Sequence, residues 1–216
     1  MPDETDLHSA SMSSSISSAW RQLVSGRSIL VCVTGGIAAY KSATLVSGLA
    51  QAGAKVWVAM TPSATRFITP LTLQSLSGHP VFTSAWEHVD SLDPQHISLA
   101  GRVDAAVVAP CTMECLAALA HGRGDNIVSL LISSIDRANT PVLLAPAMNK
   151  VMWEQPATQR NLTHLAADGF SFVGPVEGWQ ACRTVGDGRM SEPLKIFEAL
   201  VTELQSRASR PASSAS

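Results

Sequence analysis

The chain has 216 residues, 46% of them hydrophobic and only 15% charged, and its 15 basic against 17 acidic residues leave a formal net charge of −2. A chain of this length buries about 70% of the surface it exposes when unfolded, so it holds a core without disulfides or metal. The missing basic surplus argues against nucleic acid as the main partner, no apolar run approaches the roughly 18 residues of a membrane helix, and the low charged fraction points to surface buried against other subunits or a ligand.

Residues 1–19 are Ser-rich and aperiodic and read as a disordered tail. SILVCVT (28–34) is a continuous apolar run rich in β-branched residues, the pattern of a strand buried on both faces. Residues 37–52 are helical in pattern, with Leu45, Val46 and Leu49 on one face and Gly53 placed to end the helix. VWVAM (56–60) is the next strand, Pro62 opens a short helix, and 71–77 form another. DAAVVA (104–109) is a strand, 112–121 and 127–134 are helices, and PVLLA (141–145) is a strand. A helix over 157–167, a strand over 170–173 and a last helix over 192–204 follow. From 206 a second disordered tail is expected, which leaves 20–205 as one domain. Strand and helix alternating over short joins predict an α/β fold: a Rossmann-like or flavodoxin-like three-layer sandwich around a mostly parallel sheet. Such sheets bind ligands at the carboxyl ends of their strands, which singles out 35–36, 61–63, 110–112 and 146–149.

The first of these ends reads Thr34-Gly35-Gly36-Ile37-Ala38-Ala39-Tyr40-Lys41-Ser42. Two glycines between a strand and a helix let the backbone approach a ligand, and the helix start offers free N–H groups that suit a phosphate. The stretch is neither a Walker A loop nor GxGxxG, because Tyr40 and Ile37 stand where glycines would be. The strand at 141–145 runs straight into PAMNKVMW (146–153), where the Asn149 amide can hold a carboxylate and Met148, Met152 and Trp153 supply an apolar wall. His96, opening HISLAGR, is a candidate acid or base. Residues 178–190 (GWQACRTVGDGRM) have the glycines and the length of a flexible flap around Cys182, whose thiolate form Arg183 would favour.

The other cysteines are Cys32, Cys111 and Cys115, and no pair has metal-finger spacing, so free thiols in a reducing compartment and no metal are expected. Residues 1–19 hold Asp3, Glu4 and Asp6, no Lys or Arg and no apolar segment. That fits neither a secretory signal nor a transit peptide, and the expected location is the cytoplasm.

Taken together and in order, TGGIAAYKS (34–42), FITPLTLQSLSG (67–78), HISLA (96–100), DAAVVAP (104–110), PAMNKVMW (146–153) and ACRTVGDGRMSEP (181–193) resemble the homo-oligomeric flavin-containing cysteine decarboxylases, over about residues 28–200. The resemblance implies FMN as cofactor, bound between the subunits of a homotrimer that can build a homododecamer. It implies that Gly35, Gly36, Ile37, Ala38, Thr61, Ser63, Thr112, Met113 and Ala147 bind the flavin. His96 would be the catalytic base, Cys182 the proton donor, and Asn149, Met152 and Ala181 would bind substrate. The implied reaction is decarboxylation of 4′-phospho-N-pantothenoylcysteine to 4′-phosphopantetheine in coenzyme A biosynthesis, by thiol oxidation, loss of carbon dioxide and re-reduction of the enethiol. Two further readings stay open: oxidative decarboxylation of a peptide's C-terminal cysteine, and a flavin-binding regulatory subunit. The sequence departs from the family at Arg183, where glycine is usual, and at Thr112-Met113-Glu114-Cys115, where Ser/Thr-Ala-Asn-Thr is usual. No stretch resembling the ligase domain of bifunctional relatives follows, so a separate ligase is expected for a coenzyme A role.

Overall fold

A computed structural model describes residues 12–86, 95–181 and 183–208. In chain order the elements are α1 (Met12–Ser15), α2 (Ser18–Val24), β1 (Ser28–Val33), α3 (Ala39–Gln51), β2 (Lys55–Met60), α4 (Pro70–Ser77), β3 (Val81–Phe82), α5 (Gln95–Ala100), β4 (Ala105–Cys111), α6 (Met113–Ala120), α7 (Ile127–Ser133), β5 (Val142–Pro146), α8 (Lys150–Trp153), α9 (Pro156–Ala167), β6 (Ser171–Phe172), β7 (Val176–Trp179), β8 (Val185–Arg189) and α10 (Pro193–Ala208), with one 3₁₀ turn at Ala64–Arg66.

Six strands pair in the order β3-β2-β1-β4-β5-β6, every pair parallel. This is the Rossmann-type order, in which the winding reverses between β1 and β4. The apolar runs serve both faces. Ile29, Val31 and Val33 of β1 join Ala105, Val107 and Ala109 of β4 in a core with α3 and α10, while Leu30 and Cys32 join Ala106 and Val108 in a second core under α6, α7 and α9. A sheet covered on both faces needs apolar residues at every position, which is why β1 and β4 show no polar alternation. Among the described residues, no helix is long and apolar enough to cross a membrane.

Three stretches differ from the expectations. The Ser-rich start is helical from Met12 on: Ser17 caps α2 by accepting from the Trp20 N–H (3.2 Å), and Ile16 and Val24 are buried. Ser17 acts as a cap there, and the apolar residues Met12, Ile16, Trp20 and Val24 recur every fourth position to face the core. At the other end, α10 continues to Ala208, past the expected boundary at 206; residues 1–11 and 209–216 lie outside the described residues. Residues 178–190, expected as a loop, belong largely to a two-stranded antiparallel ribbon of β7 and β8. The short edge strand β3 is an addition to the expected set.

The N-terminal helix is fastened by Trp20, whose ring lies 6.4 Å from that of the fully buried Phe197 on α10. Phe197→Ala is expected to lower unfolding stability by about 3–5 kcal/mol, read as a shift of the urea midpoint.

Candidate functional site

A cavity of about 920 Å³ opens where β1 and β4 diverge, at the carboxyl ends of the strands. Its floor is set by hydroxyl groups. The β1–β4 pairing ends at Cys32↔Val108, which leaves the Ala109 and Pro110 carbonyls without partners on β1. Ser42 Oγ donates to Ala109 O (2.6 Å) and Thr34 Oγ1 to Pro110 O (2.7 Å). Thr34 Oγ1 in turn accepts from the Thr112 N–H (3.2 Å), so one buried hydroxyl ties the end of β1 to the start of α6. Buried carbonyls require such partners.

The turn after β1 lies close to the turn after β2: a Cβ on Gly35 would collide with Ser63. Ser63 and Thr61 share a hydrogen bond of 3.0 Å. No side chain caps α3, whose first turn faces the cavity through Gly36, Ile37 and Ala38. An uncapped helix start beside the hydroxyls of Thr61, Ser63 and Thr112 is a place for a phosphate or other anion. The rest of the wall is apolar, from Ile37, Met113, Ala147, Met148, Met152 and Trp179, and suits a flat ring.

Asn149 is half-buried at the start of α8, and its Oδ1 accepts from the Met152 N–H (2.9 Å). That cap orients the amide and leaves its NH₂ without an acceptor among the described residues, a donor for a carboxylate.

Ala181 also lines this cavity, with the rest of the ribbon wall. All the residues expected to bind cofactor or substrate therefore meet in one place: Gly35, Gly36, Ile37, Ala38, Thr61, Ser63, Thr112, Met113, Ala147, Asn149, Met152 and Ala181. The two expected catalytic residues do not join them. His96 is half-buried on α5, which packs against α7, and is not part of the cavity wall. Cys182 lies outside the described residues.

The wall also includes Glu114 and Cys115, where the sequence departs from the family, and Lys41, Asn126, Ser129, Gln180, Gly188 and Arg189, which sequence reasoning did not single out. For Asn126 and Ser129 a signal existed: an N-cap and capping-box pair just before the apolar run 127–133. Lys41 is buried and its charge is paired. Its Nζ donates to Met190 O (3.2 Å) and pairs with Glu192 (2.9 Å), which also binds Arg189 (2.5 Å).

The ribbon is docked by backbone. The Met148 N–H donates to Gly188 O (2.9 Å), and at Gly188 (φ +122°) a Cβ would run into the Met148 carbonyl. Gly188→Ala is therefore expected to lift β8 and speed hydrogen exchange at the Met148 amide by about tenfold or more, measured by mass spectrometry or NMR.

Of the thiols beside the cavity, Cys111 ends β4 and Cys115 lies in α6. Burial, with a smaller contribution from Cys115, pushes the Cys111 and Cys32 thiols well above their ordinary pKa, so both stay protonated and act as apolar wall.

A doubly wound α/β protein with a nucleotide-sized cleft at its switch point is what this geometry defines. The profile of the flavoprotein family matches residues 17–205, and the chain belongs to that family. It is 41% identical over 189 residues to the coenzyme A biosynthesis bifunctional protein CoaBC of Bacillus subtilis, covering 88% of this chain and 46% of that protein. The chain thus spans about half the length of the curated relatives it matches. Its structure is similar to that of a cysteine-to-serine mutant of PPC decarboxylase complexed with pantothenoylaminoethenethiol (TM-score 0.74, 28% identity, 83% of this chain and 99% of that one). It is also similar to the FMN-dependent cysteine decarboxylase SpaF (TM-score 0.73, 26% identity, 87% and 99%).

Proposed function

We propose that the protein is an FMN-dependent decarboxylase that converts 4′-phosphopantothenoylcysteine to 4′-phosphopantetheine in coenzyme A biosynthesis, in the cytoplasm. The observation that carries this reading is the convergence of the flavin-type turn and Asn149 on one cavity. The fit to FMN is chemical: the uncapped start of α3 and the hydroxyls of Thr61, Ser63 and Thr112 suit its phosphate, and Ala147, Met148 and Trp179 suit its ring. When bound, FMN supplies the electron sink that a cysteine carboxylate lacks, accepting a hydride from the thiol-bearing carbon and returning it after carbon dioxide has left.

The chain's own residues orient the substrate and handle protons. Asn149 donates its free NH₂ to the substrate carboxylate and holds it out of water until it is lost. Met152 and Ala181 flank it. His96 takes the thiol proton, and Cys182 protonates the carbon that lost the carboxylate. The neighbouring PPC decarboxylase mutant lacks a cysteine and holds an enethiol, the product expected when the final protonation fails.

His96 does not line the cavity of its own chain. In the proposed assembly, a homotrimer that can build a dodecamer, it comes from the neighbouring copy. Supporting this, the cavity rim exposes Ile37, Tyr40 and Trp179, and Ile97 beside His96 is exposed as well. These are two separate apolar patches of the kind a head-to-tail ring contact joins.

The test is mass spectrometry of the purified protein with 4′-phosphopantothenoylcysteine, run beside a peptide ending in cysteine. 4′-Phosphopantetheine is the expected product. Turnover of the peptide alone, or of neither, overturns the reading. His96→Asn is expected to keep the yellow cofactor and lose at least about 100-fold in decarboxylation; retained turnover would remove His96 as the base.

A further inference from the structure

Ribbon β7–β8 forms part of the cavity wall but has little to hold it there by burial. The buried positions on β8 are Gly186 and Gly188, which carry no side chain, while Trp179 and Val185 are exposed. A ribbon with a glycine inner face gains little from the hydrophobic effect, so its docking depends on hydrogen bonds. Its base is tied by Lys41, Glu192 and Arg189, and its middle by the Met148–Gly188 backbone bond.

Nearest the tip, the Gln180 side chain fastens the ribbon. Gln180 is 7% exposed. Its Nε2 donates to the carbonyls of Gly186 (3.1 Å) and Asp187 (2.8 Å) on the opposite strand, and its Oε1 accepts from the Lys150 N–H (3.2 Å) at the start of α8. Two carbonyls on one side and an N–H on the other fix the orientation of the amide. The backbone of Gln180 closes the turn as well, donating to Thr184 O and accepting from the Arg183 N–H, each at 2.9 Å. Arg183 takes a left-handed φ of 65° in that turn, a conformation that non-glycine residues hold only when their surroundings impose it.

We propose that Gln180 is a positioning residue for the protonation half of the reaction: its amide locks residues 180 and 183–184 in register with the Asn149–Lys150 turn. The proposal rests on the functional reading above. Asn149 holds the carboxylate-bearing carbon, and the acid at residue 182 must deliver its proton to that same carbon while the hydride returns to the neighbouring thiol-bearing carbon. Enethiol, proton and hydride balance to the saturated thiol. A turn out of register lets the enethiol leave before it is protonated.

Gln180→Leu leaves an apolar side chain one atom shorter and removes the three hydrogen bonds described above. Two measurements test it. In single turnovers with 4′-phosphopantothenoylcysteine, the ratio of released enethiol to 4′-phosphopantetheine should rise about tenfold, toward the ratio given by Cys182→Ser, the loss expected when a buried hydrogen-bonded latch is removed. A lower total rate at an unchanged ratio marks a merely structural residue and overturns the proposal. In the protein without substrate, trypsin cleavage after Arg183 should also accelerate about tenfold; an unchanged cleavage rate overturns the latch itself. Gln180→Glu keeps the acceptor for Lys150 but sets a carboxylate against two carbonyls, and should move both readouts in the same direction. It decides the matter if the leucine variant does not fold. If the wild-type protein turns over no phosphopantothenoylcysteine, the functional reading fails, and the cleavage rates still decide whether Gln180 holds the ribbon.

Discussion

The site exists because β1 and β4 part company before β4 ends. A parallel pair that separates inside the core strands carbonyl groups where water cannot reach, and each costs about 1–3 kcal/mol if left unpaired. Ser42 and Thr34 take up those carbonyls, and Thr34 then holds the Thr112 amide. Two segments far apart in sequence, 34–42 and 109–112, are thereby fixed around one opening. The glycine turn after β1 can then lie against Ser63 without any side chain of its own. The cleft is a consequence of how the sheet's backbone is satisfied at the switch point, and the residues that face it inherit their positions from that accounting.

The two sides of the cleft are held by different physics. The sheet side is rooted in two apolar cores and is stiff because displacing it would open cavities. The ribbon side has glycines where core side chains would be, and is held by discrete polar fastenings. Such fastenings are directional and individually modest. A wall of this kind keeps its register while docked, yet yields at lower cost than the sheet, as the proposed function would ask of a segment that covers a substrate and then releases a product.

Much of the fold is legible in the sequence because strands covered on both faces must be apolar throughout, and 28–34, 56–60, 104–109 and 141–145 are the runs that qualify. The strand ends then locate the cleft, which is why Gly36, Thr61, Thr112 and Asn149 are found from position alone. The failures have equally specific causes. Ser-rich composition at 12–19 hides an apolar residue at every fourth position, because serine serves caps as readily as disorder. Glycines at 186 and 188 read as looseness, whereas here they allow a strand to press on Met148 and Lys150. Lys41 and Gln180 are invisible because their meaning lies in partners 149 and 30 residues away.

His96 marks the limit of what one chain can build. Its helix, α5, is only six residues long and packs against α7, on a part of the molecule that does not border the cavity. A base that acts on the substrate must approach within hydrogen-bond reach. In the proposed assembly, association of copies would supply that approach and would cover the apolar rim of the cleft and the exposed Ile97 beside His96 at once. The sparse charge of the chain fits the same proposal, because charges on a surface that meets another copy would have to be desolvated. In the proposed assembly the site is completed between copies, so catalytic competence should follow subunit association rather than flavin binding alone.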